Sequence, residues 1–120
     1  MRSERKAFMA DCIFCKIVKG KIPSDKVMEG KHFIAIRDIN PQAPVHILLI
    51  TREHFKNILE FPRSEGMFFE MLSMIEKVVK AEKIEKGFRV VINTGLEAGQ
   101  SVDHFHIHIL GGREMKWPPG

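Results

Sequence analysis

Three of the six histidines, His104, His106 and His108, fall within five residues, separated by Phe105 and Ile107 and followed by Ile109 and Leu110. Successive side chains of a β-strand point to opposite faces, so this alternation sets the three imidazoles on one face and the apolar residues on the other. A helix would scatter them. Neutral imidazole is a nucleophile, a proton donor and a metal ligand near neutral pH, and three on one face can divide those roles. Taken alone, the row also fits an edge strand with a histidine-rich polar side, or a metal-sticky surface tract.

Further chemistry-bearing residues gather around the row. The loop from Asn93 to Ser101 runs straight into it and holds Gly95, Gly99 and Gln100. It lacks the Lys-Ser/Thr ending of a P-loop. It reads either as a hairpin turn or as a cradle in which backbone N–H groups and Asn93, Gln100 and Ser101 hold an oxyanion or a phosphate. His46 is the polar residue of an otherwise apolar run, Val45 to Ile50, where a hydrogen-bonded core role competes with a functional one. Cys12 and Cys15 share one face of a short predicted helix, close enough to bind one metal ion.

The elements that must position these residues follow from periodicity and punctuation. Asp11 is the expected N-cap of a helix ending at Gly20, with Ile13, Phe14, Ile17 and Val18 as its apolar side. Strands are expected at Lys26 to Glu29, His32 to Asp38, Val45 to Ile50 and Gly87 to Asn93, with the histidine run as a fifth. Gly111-Gly112 supplies its stop. Thr51 to Phe61 reads as a short helical connection. From Ser64 to about Lys83, Met67, Phe68, Met71, Leu72, Ile75, Val78 and Val79 mark one long amphipathic helix. The expected fold is α+β: an antiparallel sheet of about five strands with one short and one long helix.

Composition sets the bounds. With 120 residues, 44% hydrophobic and 28% charged, the chain makes one soluble domain, expected over residues 11–120 behind a flexible extension, 1–10. No apolar run is long enough for a membrane span, and no signal peptide is evident, so a cytoplasmic location is expected. The net charge of +4 suits a phosphate-bearing ligand. No aromatic-studded basic stripe accompanies it, which argues against a nucleic-acid partner. Trp117, near the end of the chain with no core sequence behind it, suggests docking onto a second copy.

Taken together, His104-Phe-His106-Ile-His108-Ile-Leu110, Asp38-Ile-Asn-Pro-Gln-Ala-Pro44, Asn93-Thr-Gly95, Gly99-Gln-Ser-Val102, Leu110-Gly-Gly-Arg113 and Trp117-Pro-Pro-Gly120 resemble the histidine triad (HIT) superfamily. The likeness is to its Hint branch, the nucleotide-binding phosphoramidases, in the bacterial type with a Cys-x-x-Cys pair. Ser101 and Gly-Gly-Arg113 stand where the dinucleoside polyphosphate hydrolase branch has Thr and Pro-Arg.

The resemblance implies hydrolysis of purine nucleoside 5'-phosphoramidates through a nucleotidyl-histidine intermediate. His106 is the implied nucleophile, with His108, Ser101, Asn93 and Gln100 completing the catalytic set and His46, His54, His104 and His108 the source of a proton relay. Asp38 is implied to bind the ribose. Ile13, Phe14, Ile17, Ile22, Ile36, Arg37, Ile39 and Leu48 are implied to line the purine pocket, with Gly99 beside the nucleotide. The family also implies zinc on Cys12, Cys15, His46 and His104, in competition with a relay role for His104; free thiols and a disulfide are the alternatives for the pair. A homodimer with a shared sheet is implied. The alternatives in function are a dinucleoside polyphosphate hydrolase and a nucleotide-binding interaction module without turnover.

Overall fold

The computed structural model describes residues 8–120, and residues 1–7 of the expected N-terminal extension lie outside the described residues. Five strands form one antiparallel sheet: β1 (Lys26–Glu29), β2 (Phe33–Arg37), β3 (Val45–Thr51), β4 (Phe88–Val91) and β5 (His106–Gly111), in spatial order β1-β2-β3-β5-β4. Among the described residues two α-helices flank the sheet, α1 (Ile13–Val18) and α2 (Glu65–Ala81). The expected α+β architecture with one short and one long helix is the one found.

Strand alternation divides the core in two. Phe33, Ala35, Ile47, Leu49, Phe105, Ile107 and Ile109 pack against Met67, Met74, Val78 and Val79 of α2. Ile34, Ile36, Leu48 and Ile50 point the other way and are covered by Phe14 and Ile17 of α1. The spacers of the histidine run thus enter the α2 core, as a period of two demands. The imidazoles face the α1 side.

Helix ends follow local chemistry. Ser64 caps α2, its hydroxyl accepting from the Met67 N–H at 3.2 Å. At α1 the cap is Cys12 rather than Asp11: its sulfur accepts from the Cys15 N–H at 3.4 Å. Gly20 follows at φ +76°, the left-handed conformation that glycine adopts freely after a helix. The expected helical connection between β3 and α2 shrinks to one 3₁₀ turn, Ile58–Glu60, capped by Asn57. The chain before it is irregular, which leaves His54 free to turn inward.

Strand β5 begins at His106, so His104 precedes the ladder instead of occupying it. Its backbone is bent, with the His104 N–H donating to the Val102 carbonyl at 2.8 Å. At the other end Gly111 lies where a Cβ would come within 2.8–3.0 Å of Ile84 carbon atoms, and Gly112 turns the chain at φ +91°. Both glycines of the stop are therefore required, one by close packing and one by backbone conformation.

Candidate active site and metal cluster

The hydrogen bonds of the histidines fix which nitrogen carries the proton on each. His106 Nδ1 lies 2.7 Å from the His104 carbonyl oxygen, an acceptor, so Nδ1 carries the proton and Nε2 keeps its lone pair. His104 Nε2 lies 2.8 Å from the Thr51 carbonyl, so its free nitrogen is Nδ1. His46 Nδ1 accepts from the Gln42 N–H at 3.0 Å, which places its proton on Nε2. That proton is donated to His108 Nδ1 at 2.9 Å, with the Asp38 carboxylate 3.3 Å away as a second acceptor. His108 must then carry its own proton on Nε2.

Burial keeps these rings neutral. It pulls His104 and His108 down to about 4, and in His108 the neighbouring His106 and His46 add to the effect. His106 and His46 are also lowered by burial, partly offset in His106 by its bond to the His104 carbonyl and in His46 by Asp38. Two neighbouring histidines thus differ in role: His106 presents a bare lone pair, and His108 presents an N–H. Their ring centroids are 5.1 Å apart.

Around them, the Phe14 ring sits edge-on to His106 with centroids 5.0 Å apart. Phe14, Ile17, Ile36 and Leu48 are buried together on this face with Ile22 packed against them, an apolar floor beside the histidines. Ile13 and Ile39 are outside this buried group, Ile39 being 98% exposed. Asn93 shares a cleft with His46, His108 and Arg89, whereas exposed Ser101 shares another with Cys12, Ile13 and His54. Gly99 ends the 3₁₀ turn Leu96–Ala98 at φ +82°.

Two expected site residues are placed elsewhere. Arg37 follows Ile36 in β2 and so points to the opposite face, where its guanidinium holds Glu82 at 3.0 and 2.9 Å. It lines no purine pocket here. Gln100 is buried, accepting from the Gly95 N–H at 2.9 Å and donating to the Lys56 and Val102 carbonyls at 2.8 and 3.0 Å. Its amide fixes the loop and has no donor left for a phosphate.

The metal-type cluster also differs from expectation. Cys12, Cys15, His104 and His54 offer ligand atoms within 4.8 Å of one another, while His46 belongs with Asp38 and His108 in a separate group. The reason is register. Antiparallel pairing opposes Ile50 to His106 and His46 to Leu110, so the chain just past β3, with His54, runs beside His104. His46 is four residues back along the strand, roughly 13 Å away by the usual rise.

The distances suit a tetrahedral ion. Sulfur-to-nitrogen separations are 3.3 Å (Cys12–His104), 3.3 Å (Cys15–His54) and 3.6 Å (Cys15–His104), and the two Nδ1 atoms are 3.2 Å apart. Tetrahedral zinc with its usual bond lengths requires about 3.6 Å for S–N and about 3.3 Å for N–N edges. His104 Nδ1 is already free of a proton, as a ligand must be. Burial raises the Cys15 thiol to about 11, so without a cation nearby it stays protonated. Two thiols and two imidazoles form a closed set with no position left for substrate.

Comparison with known proteins agrees with this picture. The HIT domain model matches residues 19–115. A 14 kDa zinc-binding protein of Zea mays is 43% identical over the full length of both chains. The adenylylsulfatase HINT1 of Arabidopsis thaliana is 41% identical, covering 100% of this chain and 88% of that one. Among solved structures, a HIT family hydrolase from Legionella pneumophila superposes with a TM-score of 0.87 at 43% identity, over 92% of this chain and 100% of that one. The chain belongs to the histidine triad (HIT) family and, with its Cys12–Cys15 pair, to the Hint-like, bacterial-type side of it.

Proposed function

We propose that the protein is a nucleotide hydrolase that cleaves purine nucleoside 5'-phosphoramidates through a covalent nucleotidyl group on His106. The observation that carries this reading is the tautomer of His106: the His104 carbonyl holds the Nδ1 proton at 2.7 Å and leaves Nε2 as a neutral nucleophile. In the first step His106 Nε2 attacks the α-phosphorus, the P–N bond breaks, and the amine leaves with a proton. His108 Nε2–H, on the ring whose centroid is 5.1 Å from that of His106, is the donor for it. Water then attacks the phosphorus, its proton restoring the N–H that His108 gave to the amine, the P–Nε2 bond breaks, and the nucleoside monophosphate is released with His106 Nε2 again bare. Asn93 and Ser101, with the loop between them, bind the phosphoryl oxygens, and Asp38 takes the ribose hydroxyls. The base rests on Phe14, Ile17, Ile36 and Leu48; such apolar contact discriminates weakly between purines.

The metal reading accompanies it: Cys12, Cys15, His54 and His104 hold zinc, in keeping with relatives named for zinc binding. Bound there, the ion supplies structural cross-linking. With its lone pair committed, His104 drops out of the proton relay, which then runs through His108 and His46. The protein is also read as a homodimer. Strand β4 is a sheet edge with Phe88 and Val90 exposed, α2 carries exposed Phe68, Phe69 and Leu72, and Trp117 lies against Arg89 with 81% of its surface exposed.

One relative carries the name adenylylsulfatase, which favours a second reading for the leaving group: sulfate in place of an amine. Sulfate leaves without a proton, so the two substrates depend differently on His108. Turnover of adenosine 5'-phosphoramidate and of adenylyl sulfate by the wild-type protein and by His106→Ala tests both. The expected result is release of adenosine monophosphate by the wild type and none by the variant; full activity of the variant would overturn the nucleophile.

A further inference from the structure

We infer that the Cys/His cluster is a positioning device for the nucleophile and the purine floor, acting on His106 by two routes. The first runs through one residue. His104 gives its Nδ1 to the cluster, its Nε2–H to the Thr51 carbonyl at 2.8 Å, and its own carbonyl to His106 Nδ1–H at 2.7 Å. A ligand on Nδ1 therefore locks a residue that stands outside the strand ladder, in a bend, and whose carbonyl sets the tautomer of His106.

The second route runs through α1. This helix has six residues, far too few to persist by itself. Among the described residues, its polar contacts with the sheet side are those of two sulfurs, Cys12 to His104 and Cys15 to His54 and His104. Between those cysteines sits Phe14, whose ring is edge-on to both His104 at 5.8 Å and His106 at 5.0 Å. Phe14 and Ile17 are also the lid of the apolar core formed by Ile36 and Leu48. Fastening the sulfurs fixes Phe14 over the nucleophile and closes the floor on which the base would rest. Cys12, Cys15, His54 and His104 are then positioning residues, which touch none of the reacting atoms yet decide where they stand.

The inference rests on the metal reading above and is independent of the leaving group. Its test compares the full-length protein loaded with zinc and the same protein stripped by a chelator under reducing conditions, at one neutral pH. Two readouts that need no turnover are taken: the His106 tautomer from long-range ¹H–¹⁵N imidazole spectra, and calorimetric affinity for adenosine monophosphate. Zinc-loaded protein is expected to show His106 as a single Nδ1–H tautomer. Stripped protein is expected to show a tautomer mixture, with affinity weakened about tenfold if about a tenth of molecules keep the closed floor. Phe14→Leu, which retains all four ligands, is expected to take up zinc normally while its nucleotide affinity responds less to zinc than the wild type's. Should chelation unfold the chain, Cys12→Ser gives the comparison with three ligands in place. Zinc uptake with the His106 ring and the nucleotide affinity unchanged on its removal would overturn the inference alone; failure to take up zinc would overturn it together with the metal reading.

Discussion

His106 differs from its two neighbours by what holds its Nδ1, and that difference has a pH signature. Burial lowers its pKa below the usual 6.5, partly opposed by the His104 carbonyl. The active form is neutral, so activity is present above the folded pKa and lost as pH falls through it. For the proposed phosphoramidate hydrolysis, kcat/KM is expected to be level from neutral pH upward and to fall only below pH 6.5 in a pH–rate series. An acid limb with its midpoint above neutrality would contradict this. His46 acts one ring further back: its Nε2–H, donated at 2.9 Å, is what forces the His108 proton onto Nε2. His46→Ala should therefore lower kcat by roughly 10²-fold, the worth of a positioned proton donor. Nucleotide affinity should change far less, as a KM and binding comparison would show.

At the scale of elements, the sheet and its helices hold these groups through a few specific joints. One lies between α2 and the start of β2, where Glu70 accepts from the His32 N–H and from His32 Nδ1, both at 2.8 Å. Burial alone would raise the Glu70 pKa, but the two bonds from His32 outweigh it and the net shift is downward. A depressed carboxyl stabilises the fold above its unfolded value of 4.5 and loses that contribution as pH falls through the folded value. Glu70→Gln should thus cost about 1–2 kcal/mol at pH 6 and progressively less below pH 4.5, read from denaturant melts across pH. A second joint is Gly111, where a Cβ would meet Ile84 at 2.8 Å. Gly111→Ala should destabilise by about 1–3 kcal/mol through overpacking, seen as a lower denaturation midpoint.

Much at this scale was legible in the chain. The apolar runs Phe33 to Ile36 and Val45 to Ile50 and the alternation from His106 to Ile109 announce strands, and the Ser64 cap with its apolar period announces α2. The pleat of a strand, carried through, excludes Arg37 from the α1 side of the sheet, since Ile36 and Arg37 cannot share a face. What period alone does not reveal is where a strand starts. His104 continues the alternating pattern but is bent out of the ladder, because its side chain serves the cluster and its carbonyl serves His106.

Across the whole molecule, the undetermined quantity was register. Which of His46 and His54 reaches the cysteines depends on how β3 pairs with β5, a long-range fact that no local pattern encodes. The family resemblance implies a site between α1 and the sheet; pairing decides which histidine stands beside the cysteines. The same scale governs assembly. An exposed edge strand, apolar residues on the outer side of α2 and an exposed Trp117 predict a particle of about twice 13.8 kDa by light scattering. Trp117→Ala combined with Phe69→Glu is expected to shift it toward the monomer mass, and a monomeric wild-type mass would contradict the dimer. The central claim, a covalent nucleotide on His106, is tested most directly by quenching the protein during turnover of adenosine 5'-phosphoramidate and mapping the adduct by mass spectrometry. The account predicts one adenylyl group on His106, absent from His106→Ala; an adduct on another residue, or turnover with none detectable under rapid quench, would contradict it.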